Sequence, residues 1–400
     1  MAIRKSLLAL NFALWTGIVG AGDIGFAFDR SVCRIPEKFK GHPLFSKPLV
    51  GMNFGFMAKR GWYRQHLDEP AKMKAAGVNL CILKVQPCME APFSRKVFFD
   101  PVYSQGEDEV AAMIEKLHEN GIMVILQPSI TCLDGSPMAQ VQMPDGGCQI
   151  VGRQANYWQE FFDSYTEALV AYADLCERCK VEGYIIGCEM ARTERRDAEW
   201  RKAIRAVREH YSGPVSYEKI EWGFCPWMDD LDFLSTSWYP PAAPTPDGMN
   251  WRTNDPKTED PAAWGALPSV GRDEMVAYLK EYAVPKLEEL HRKSGGMPIF
   301  QSEVGMTCVH GLCRWAWAGA QPFFAGARID QQEQADYMQA IHEAFAEQLP
   351  YYMGFGWWKW EEIQPRWFRN LEDPTKDGGF TIQGKPAEAV FRRISAAAAH

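Results

Sequence analysis

Short apolar runs alternate with longer amphipathic stretches along most of this 400-residue chain, and this alternation restricts the possible fold more than any other feature. The apolar runs are nearly continuous, as in buried parallel strands, and several amphipathic stretches stop at a glycine, as helices do. We predict strands at eight places: 49–54, 78–85, 122–126, 183–188, 214–217, 233–238, 298–302 and 353–358. Eight strand–helix pairs predict a (β/α)8 TIM barrel formed by residues 49–400.

The stretches that follow the strands are predicted to be helical at 69–76, 106–120, 157–179, 197–211, 228–230, 272–293, 331–345 and 386–396, of which 228–230 is only a weak short helix. An open doubly wound sheet is the alternative, but the turn Gly51-Met-Asn-Phe-Gly55 does not match its G-x-G-x-x-G pattern. Long loops at 129–156 and 239–271 follow the third and sixth strands. Because such loops lie on the active face of a barrel, we expect them to form the walls of a cleft.

Composition narrows the range of partners. Apolar residues make up 46% of the chain and charged residues 24%, a balance that is typical of a soluble globular protein with a large core. The formal net charge of −8 argues against a nucleic-acid or membrane surface, because both need a basic patch. The 15 Trp and 14 Tyr residues instead offer rings that can stack on sugars.

Residues 1–48 precede the first predicted strand and form an N-terminal extension or a signal-like segment. Arg4 and Lys5 come before an apolar stretch at 6–19 and small residues at 20–22, which is the order of a secretory signal. The alternative is a segment that packs across the barrel floor. The protein is therefore expected to be secreted or periplasmic if residues 1–21 are a signal peptide, and cytoplasmic otherwise.

Two predicted strands end on a glutamate, Glu189 after the fourth and Glu303 after the seventh. An ionised carboxylate is costly next to an apolar strand unless something there uses it, and catalytic residues of barrels lie at the carboxyl ends of strands. Two carboxyl groups that face one pocket can cleave a glycosidic bond. In a retaining enzyme one protonates the leaving oxygen while the other attacks the anomeric carbon, and neither a metal nor another cofactor is needed.

Other strand ends supply candidates for substrate binding. Asn53 and Gln127, at the ends of strands one and three, could each bind a sugar hydroxyl or satisfy a loop backbone. Trp238 could line the cleft or be buried. Trp358 is our first choice as a sugar platform among the tryptophans of strand eight.

Three further carboxylates compete with the favoured pair. Glu218 closes strand five, and Glu361 and Glu362 follow strand eight. Glu218 is the most credible rival, although the adjacent Lys219 suggests an ordinary pair in a loop. The favoured pair therefore remains Glu189 and Glu303.

Three sequence segments resemble motifs of clan A of the glycoside hydrolases, and those of family 113 most closely. They are Tyr184-Ile-Ile-Gly-Cys-Glu189-Met, Pro298-Ile-Phe-Gln-Ser-Glu303-Val-Gly and Gly354-Phe-Gly-Trp357-Trp358-Lys-Trp360. The resemblance implies that Glu189 is the general acid/base and Glu303 the nucleophile, and that Tyr239 donates a hydrogen bond to Glu303. The clan usually has Asn before the acid/base, where it contacts the sugar 2-hydroxyl, whereas this chain has Cys188, which leaves the preferred sugar open.

The sequence therefore predicts a retaining β-glycoside hydrolase that acts by double displacement. Family 113 is known chiefly for β-1,4-mannanase activity, so the resemblance implies β-mannan as the first substrate among β-linked polysaccharides and oligosaccharides. Two alternatives stay open: an exo-acting β-glycosidase on short oligosaccharides, whose loops block one end of the cleft, and a catalytically silent barrel that binds carbohydrate. Nothing in the sequence indicates an oligomeric state.

Overall fold

Eight parallel strands close into one barrel in the computed structural model, which describes residues 24–145, 148–150, 153–249, 263, 265–318, 328–361, 370 and 372–399. The strands are β1 (Leu49–Phe54), β2 (Leu80–Val85), β3 (Met123–Pro128), β4 (Gly183–Cys188), β5 (Val215–Lys219), β6 (Leu234–Thr236), β7 (Ile299–Val304) and β8 (Tyr352–Trp357). Each strand pairs with the next in the chain, and β8 pairs with β1. The predicted (β/α)8 barrel is confirmed.

Helices follow the strands around the outside of the barrel. The longer ones are α1 (Glu69–Ala76), α2 (Glu107–Glu119), α3 (Tyr157–Cys179), α4 (Asp197–His210), α5 (Arg272–Tyr282), α6 (Val284–Lys293), α7 (Gln331–Ile341) and α8 (Pro386–Ala397). A short α-helix at Trp62–Gln65 precedes α1, and β5 is followed by a 3-10 helix at Pro226–Asp230. Asn156 caps α3 by accepting a hydrogen bond from the Gln159 amide at 3.2 Å. Gly77 ends α1 in the left-handed conformation, with φ of 94°.

The single helix predicted at 272–293 is wrong, because the chain forms α5 and α6 there and breaks at Ala283. Pro285 lacks the amide hydrogen that a continuous helix would need at that point. The helix predicted at 331–345 is α-helical only as far as Ile341. It continues as a π-helical segment at His342–Ala346.

The long loop after β3 contains short strands of its own. Thr131–Cys132 pairs in parallel with Cys88–Met89, and Cys148–Ile150 forms an antiparallel hairpin with Arg153–Ala155. Among the described residues, no helix is both long enough and apolar enough to cross a bilayer. The possible signal peptide at 1–21 lies outside the described residues.

The floor of the barrel is filled by residues that precede β1. Phe39, Leu44 and Phe45 are buried in one apolar cluster with inward-facing side chains of the strands. The Phe45 ring meets Phe233 edge-on, with ring centroids 6.1 Å apart. Three short 3-10 turns carry this segment across the floor, at Arg30–Val32, Glu37–Phe39 and Pro43–Phe45. Residues 24–48 thus close the barrel at the end opposite the carboxyl ends of the strands.

We expect Phe45→Ala to lower the free energy of unfolding by about 3–5 kcal/mol, because it leaves a cavity in the packed floor. Denaturant titration measures the change. Phe93→Ala is the matched control, since Phe93 is 72% exposed, and it should change the stability by no more than about 0.5 kcal/mol. Equal effects of the two substitutions would contradict this account of the floor.

Candidate active site

A cleft of about 910 Å³ opens at the carboxyl ends of the strands. Its volume suits a small ligand or a segment of a longer one. Six of the eight predicted site residues line it: Cys188, Glu189, Trp238, Tyr239, Glu303 and Trp358. The two glutamates therefore share one cleft, although they are far apart in the chain.

Glu303 lies at the carboxyl end of β7 and is held by two donors. The Tyr239 hydroxyl donates to its Oε1 at 2.7 Å, and the Lys84 ammonium lies 3.3 Å from its Oε2. Burial raises the pKa of Glu303 above its ordinary value, and the charges of Glu218 and Glu189 act in the same direction, whereas Lys84 and Tyr239 oppose them. These two contacts favour the ionised form of Glu303.

Glu189 has a different environment. It is partly exposed to the cleft, and the Ser237 hydroxyl donates to its Oε1 at 2.5 Å. Burial and the charge of Glu218 raise the pKa of Glu189 to about 7, while Ser237 and Lys84 act against the rise. A carboxyl group with this pKa holds and releases a proton near neutral pH, as a general acid/base requires.

The backbone of Glu189 is in the left-handed region, with φ of 54°. This conformation is uncommon for a residue with a side chain, and such residues occur preferentially at functional sites. The Glu189 amide donates to the Glu218 carbonyl at 3.0 Å, which ties the turn after β4 to the end of β5. The turn therefore places the Glu189 side chain in the cleft at a cost in backbone energy.

Lys84 is the functional residue that the sequence analysis missed. It lies within β2, is fully buried, and donates to the Gln127 Oε1 at 2.6 Å. Its ammonium lies 3.9 Å from Glu218 in addition to the contact with Glu303. Burial acts to lower the pKa of Lys84, but Glu218 and Glu303 raise it above its ordinary value, so the lysine is charged.

A signal for Lys84 was present in the sequence. The strand reads Leu-Cys-Ile-Leu-Lys-Val, and a lysine inside an apolar strand is as unusual as a glutamate at its end. The ammonium also lies 5.3 Å from the centroid of the Trp358 ring, within the range of a cation–π contact. Lys84 thus connects the carboxyl groups with the aromatic wall of the cleft.

Glu218, the rival carboxylate, lies behind the cleft wall and is fully buried. The Cys188 thiol donates to its Oε1 at 3.0 Å, and the Ser302 hydroxyl donates to its Oε2 at 2.6 Å. The interpretation of Glu218 and Lys219 as a loop pair is wrong, because Lys219 forms its ion pair with Glu194. Glu218 supplies charge to the site without lining the cleft.

The remaining rivals are the two glutamates after β8. Glu361 accepts a hydrogen bond from the Gly55 amide at 2.8 Å, which joins the loops after β1 and β8. Glu362 lies outside the described residues.

Asn53 and Gln127 are fully buried and are not among the described residues that line the cleft. The Asn53 amide donates to the backbone carbonyls of Ser302 at 2.9 Å and Gly356 at 3.3 Å, and so links β1 to β7 and β8. Gln127 accepts from Lys84. Both residues hold parts of the site together where the sequence suggested contact with a sugar.

Aromatic rings cover much of the cleft surface. Trp358 lines the cleft and meets Phe56 edge-on with centroids 4.9 Å apart, whereas Trp357 is buried and its indole donates to the Phe380 carbonyl at 3.0 Å. Five more aromatic residues from the loops and from α5 line the cleft: Trp222, Tyr278, Tyr282, Trp315 and Trp317. The cleft therefore combines carboxyl groups with apolar ring faces, the pairing that sugar binding needs.

One group of potential metal ligands occurs in the described residues, formed by His310, Asp330 and Glu333. It is not part of the cleft lining. Glu333 accepts the amides of Gly311 at 2.7 Å and Cys313 at 3.0 Å, which fixes the loop after β7. This arrangement is a structural link between that loop and α7.

The barrel, together with two carboxyl groups at the ends of β4 and β7 in an aromatic cleft, defines the class of the glycoside hydrolases. The family model described as Glycoside Hydrolase Family 113 matches residues 52–385. The chain belongs to that family and is a glycoside hydrolase.

Solved structures support the same assignment. A family 113 β-1,4-mannanase has 25% identity and a TM-score of 0.69, and the match covers 88% of this chain and 99% of that one. The β-mannanase AaManA from Alicyclobacillus acidocaldarius has the same identity, TM-score and coverage. An endo-1,4-β-D-mannanase from Thermotoga petrophila, at 12% identity and a TM-score of 0.51 over 87% of this chain and 99% of that one, shares the fold. No curated protein matches the chain in sequence.

We expect Lys84→Met to shift the acid limb of the pH profile of kcat/KM to higher pH. The substitution removes the cation that lowers the pKa of Glu303, so a higher pH is needed to ionise this carboxyl group. It should also lower the free energy of unfolding by about 3–5 kcal/mol, because it leaves buried carboxylates unpaired. Hydrolysis rates measured across pH test the first effect, and denaturant titration tests the second.

Lys385→Met is the matched control, because Lys385 forms a buried ion pair with Asp377 at 3.1 Å away from the cleft. It should lower stability to a similar degree and leave the pH profile unchanged. A Lys84→Met profile that coincides with that of the wild type would show that Lys84 does not control Glu303.

Proposed function

We propose that this glycoside hydrolase cleaves β-linked mannose-containing saccharides, with β-mannan as its first substrate, and that it retains the anomeric configuration. Glu303 acts as the nucleophile and Glu189 as the general acid/base. The observation that carries this assignment is the difference between their contacts, since a cation and a phenol face Glu303 whereas a serine hydroxyl faces Glu189. The β-mannanase activity named for the similar family 113 structures supports the choice of substrate.

In the first step, an ionised oxygen of Glu303 attacks the anomeric carbon of the bound sugar. The bond from that carbon to the glycosidic oxygen breaks, and the proton of Glu189 passes to this oxygen, so that the leaving sugar departs as an alcohol. The products of the step are a glycosyl ester on Glu303 and an ionised Glu189. Lys84 and Tyr239 orient Glu303 and favour its ionised form before the attack.

In the second step, Glu189 takes a proton from a water molecule that attacks the same carbon, and the ester bond to Glu303 breaks. The two steps together give retention.

The cleft offers aromatic surfaces for the sugar beside the carboxyl pair. The Trp358 ring, beside Lys84, is placed to stack against one sugar unit, and Trp238 lines the cleft beside Tyr239. Cys188 also lines the cleft, but its thiol donates to Glu218. The thiol is therefore not free to donate to a sugar hydroxyl in this arrangement.

We expect Glu303→Ala to abolish hydrolysis of every β-mannoside, because no group is left to form the ester. Glu189→Ala should slow mannan hydrolysis by about 10²–10⁴-fold. It should slow an aryl mannoside with an acidic phenol far less in the bond-breaking step, because that leaving group needs no proton. In the wild type, kcat/KM should fall as the pH rises through about 7, where Glu189 loses its proton, and this limb should be absent in Glu189→Ala.

Initial rates on mannan and on the aryl mannoside with an acidic phenol test the roles, and NMR of the first-formed product tests retention. Glu361→Ala is the control, since it removes a carboxylate that follows β8 and binds the Gly55 amide. Mannan hydrolysis that survives Glu303→Ala, or a first product of inverted configuration, would refute the assignment.

A further inference from the structure

Arg314 is a buried cation in the wall of the cleft. It ends the 3-10 turn Leu312–Arg314 in the loop after β7, is 5% exposed, and lines the cleft together with both glutamates. Its Nη2 donates to the Pro268 carbonyl at 3.1 Å. This bond fixes the guanidinium against the segment that leads into α5.

The charge of Arg314 is not balanced by the described protein. Its Nε and Nη1 are buried without a hydrogen-bond partner, and no carboxylate of the described residues forms an ion pair with it. Arginine remains protonated in proteins, so burial does not neutralise it. Two other buried cations show the usual arrangement, because Lys84 pairs with Glu303 and Lys385 pairs with Asp377.

The carboxylates of the cleft do not fill this role. Glu303 is engaged by Lys84 and Tyr239, and Glu189 by Ser237. Glu221, the third glutamate among the described lining residues, is exposed and forms no ion pair with Arg314. An anion that enters the cleft with the substrate would balance the guanidinium. A carboxylate matches the planar donor group of arginine in shape as well as in charge.

Aromatic residues beside Arg314 indicate that the anion is part of a sugar. Trp315 and Trp317 follow it in the same loop and line the same cleft, and Trp317 is 48% exposed. Indole rings offer faces on which a sugar ring can stack. Among sugars, the uronic acids carry a carboxylate on the ring.

We propose that Arg314 forms an anion-binding subsite of the cleft, which binds the carboxylate of a uronosyl unit in the β-linked saccharide. This inference rests on the proposed function and makes acidic mannose-containing saccharides the preferred members of the substrate class. The unpartnered nitrogens are closed to solvent, so binding requires a movement of the cleft wall. An ion pair formed there is screened less by salt than one at the surface.

The test compares a neutral β-1,4-manno-oligosaccharide with a series of its derivatives. Each derivative carries one glucuronosyl unit, and the position of that unit differs from one derivative to the next. We expect the wild type to prefer at least one acidic member by about tenfold in kcat/KM, as a charged hydrogen bond allows. Arg314→Gln should remove this preference mainly through KM, and Arg314→Lys should keep part of it. Thermal unfolding of each variant shows whether it is folded.

Arg192→Gln is the matched control, because Arg192 is an exposed arginine in the loop after β4 that donates to Gln142 at 2.6 Å outside the cleft. It removes the same charge and should leave the preference intact. Equal turnover of neutral and acidic substrates by the wild type, or a preference that survives Arg314→Gln, would overturn the subsite.

Calorimetric binding of the same set to Glu189→Gln separates this proposal from the proposed function. If no member is cleaved by the wild type, the proposed function fails, and the binding data still decide the subsite. Tighter binding of an acidic member, lost in the double variant with Arg314→Gln, supports it. Equal binding of neutral and acidic members contradicts it.

Discussion

The active site depends on one buried cation. Lys84 is placed inside the barrel by β2, and the removal of its ammonium from water is offset only by the groups around it, which are Glu218, Glu303 and Gln127. These partners lie on β5, β7 and β3, so the ion pairs gather the carboxyl ends of four strands around one point. Without this charge, three carboxyl groups would face one another with only hydroxyl and thiol groups to stabilise them.

This arrangement accounts for the different roles that we propose for the two glutamates of the cleft. Glu303 shares the cation and also accepts from Tyr239, so its ionised form is stabilised from both oxygens. Glu189 is reached by the cation only at longer range, and its backbone turns out of β4 in the left-handed conformation. The proposed division between nucleophile and acid/base thus follows from the placement of Lys84 and Tyr239. The buried Glu218 adds charge to both without entering the cleft.

Much of the fold could be predicted because local signals coincide with the elements. The bounds of β1, β4, α1 and α3 agree with the sequence prediction, since continuous apolar runs and strong helix ends define them. The break between α5 and α6 was missed, although Pro285 marks it, because the helical spacing of apolar residues continues across it. Strand ends were predicted less well where the strand is short, as in β6.

The site was predictable only in part, for a physical reason. Glu189 and Glu303 stand out because a charge that ends an apolar strand needs a use. Asn53 is a candidate for binding a sugar hydroxyl or a loop backbone because its position at a strand end is visible in the sequence, but the direction of its side chain toward β7 and β8 is set by the closed barrel. The pairing of Cys188 with Glu218 likewise depends on the register between β4 and β5. Such contacts across strands leave no mark in a single sequence.

The most direct test of the central claim is to identify the residue that forms the covalent intermediate. Treatment with a 2-deoxy-2-fluoro-β-mannoside that carries a good leaving group should trap the glycosyl ester, because the fluorine slows its hydrolysis. Peptide mass spectrometry should then find the added sugar mass on the peptide that contains Glu303, and no addition after Glu303→Gln. A label on Glu189 or Glu218 would contradict the account.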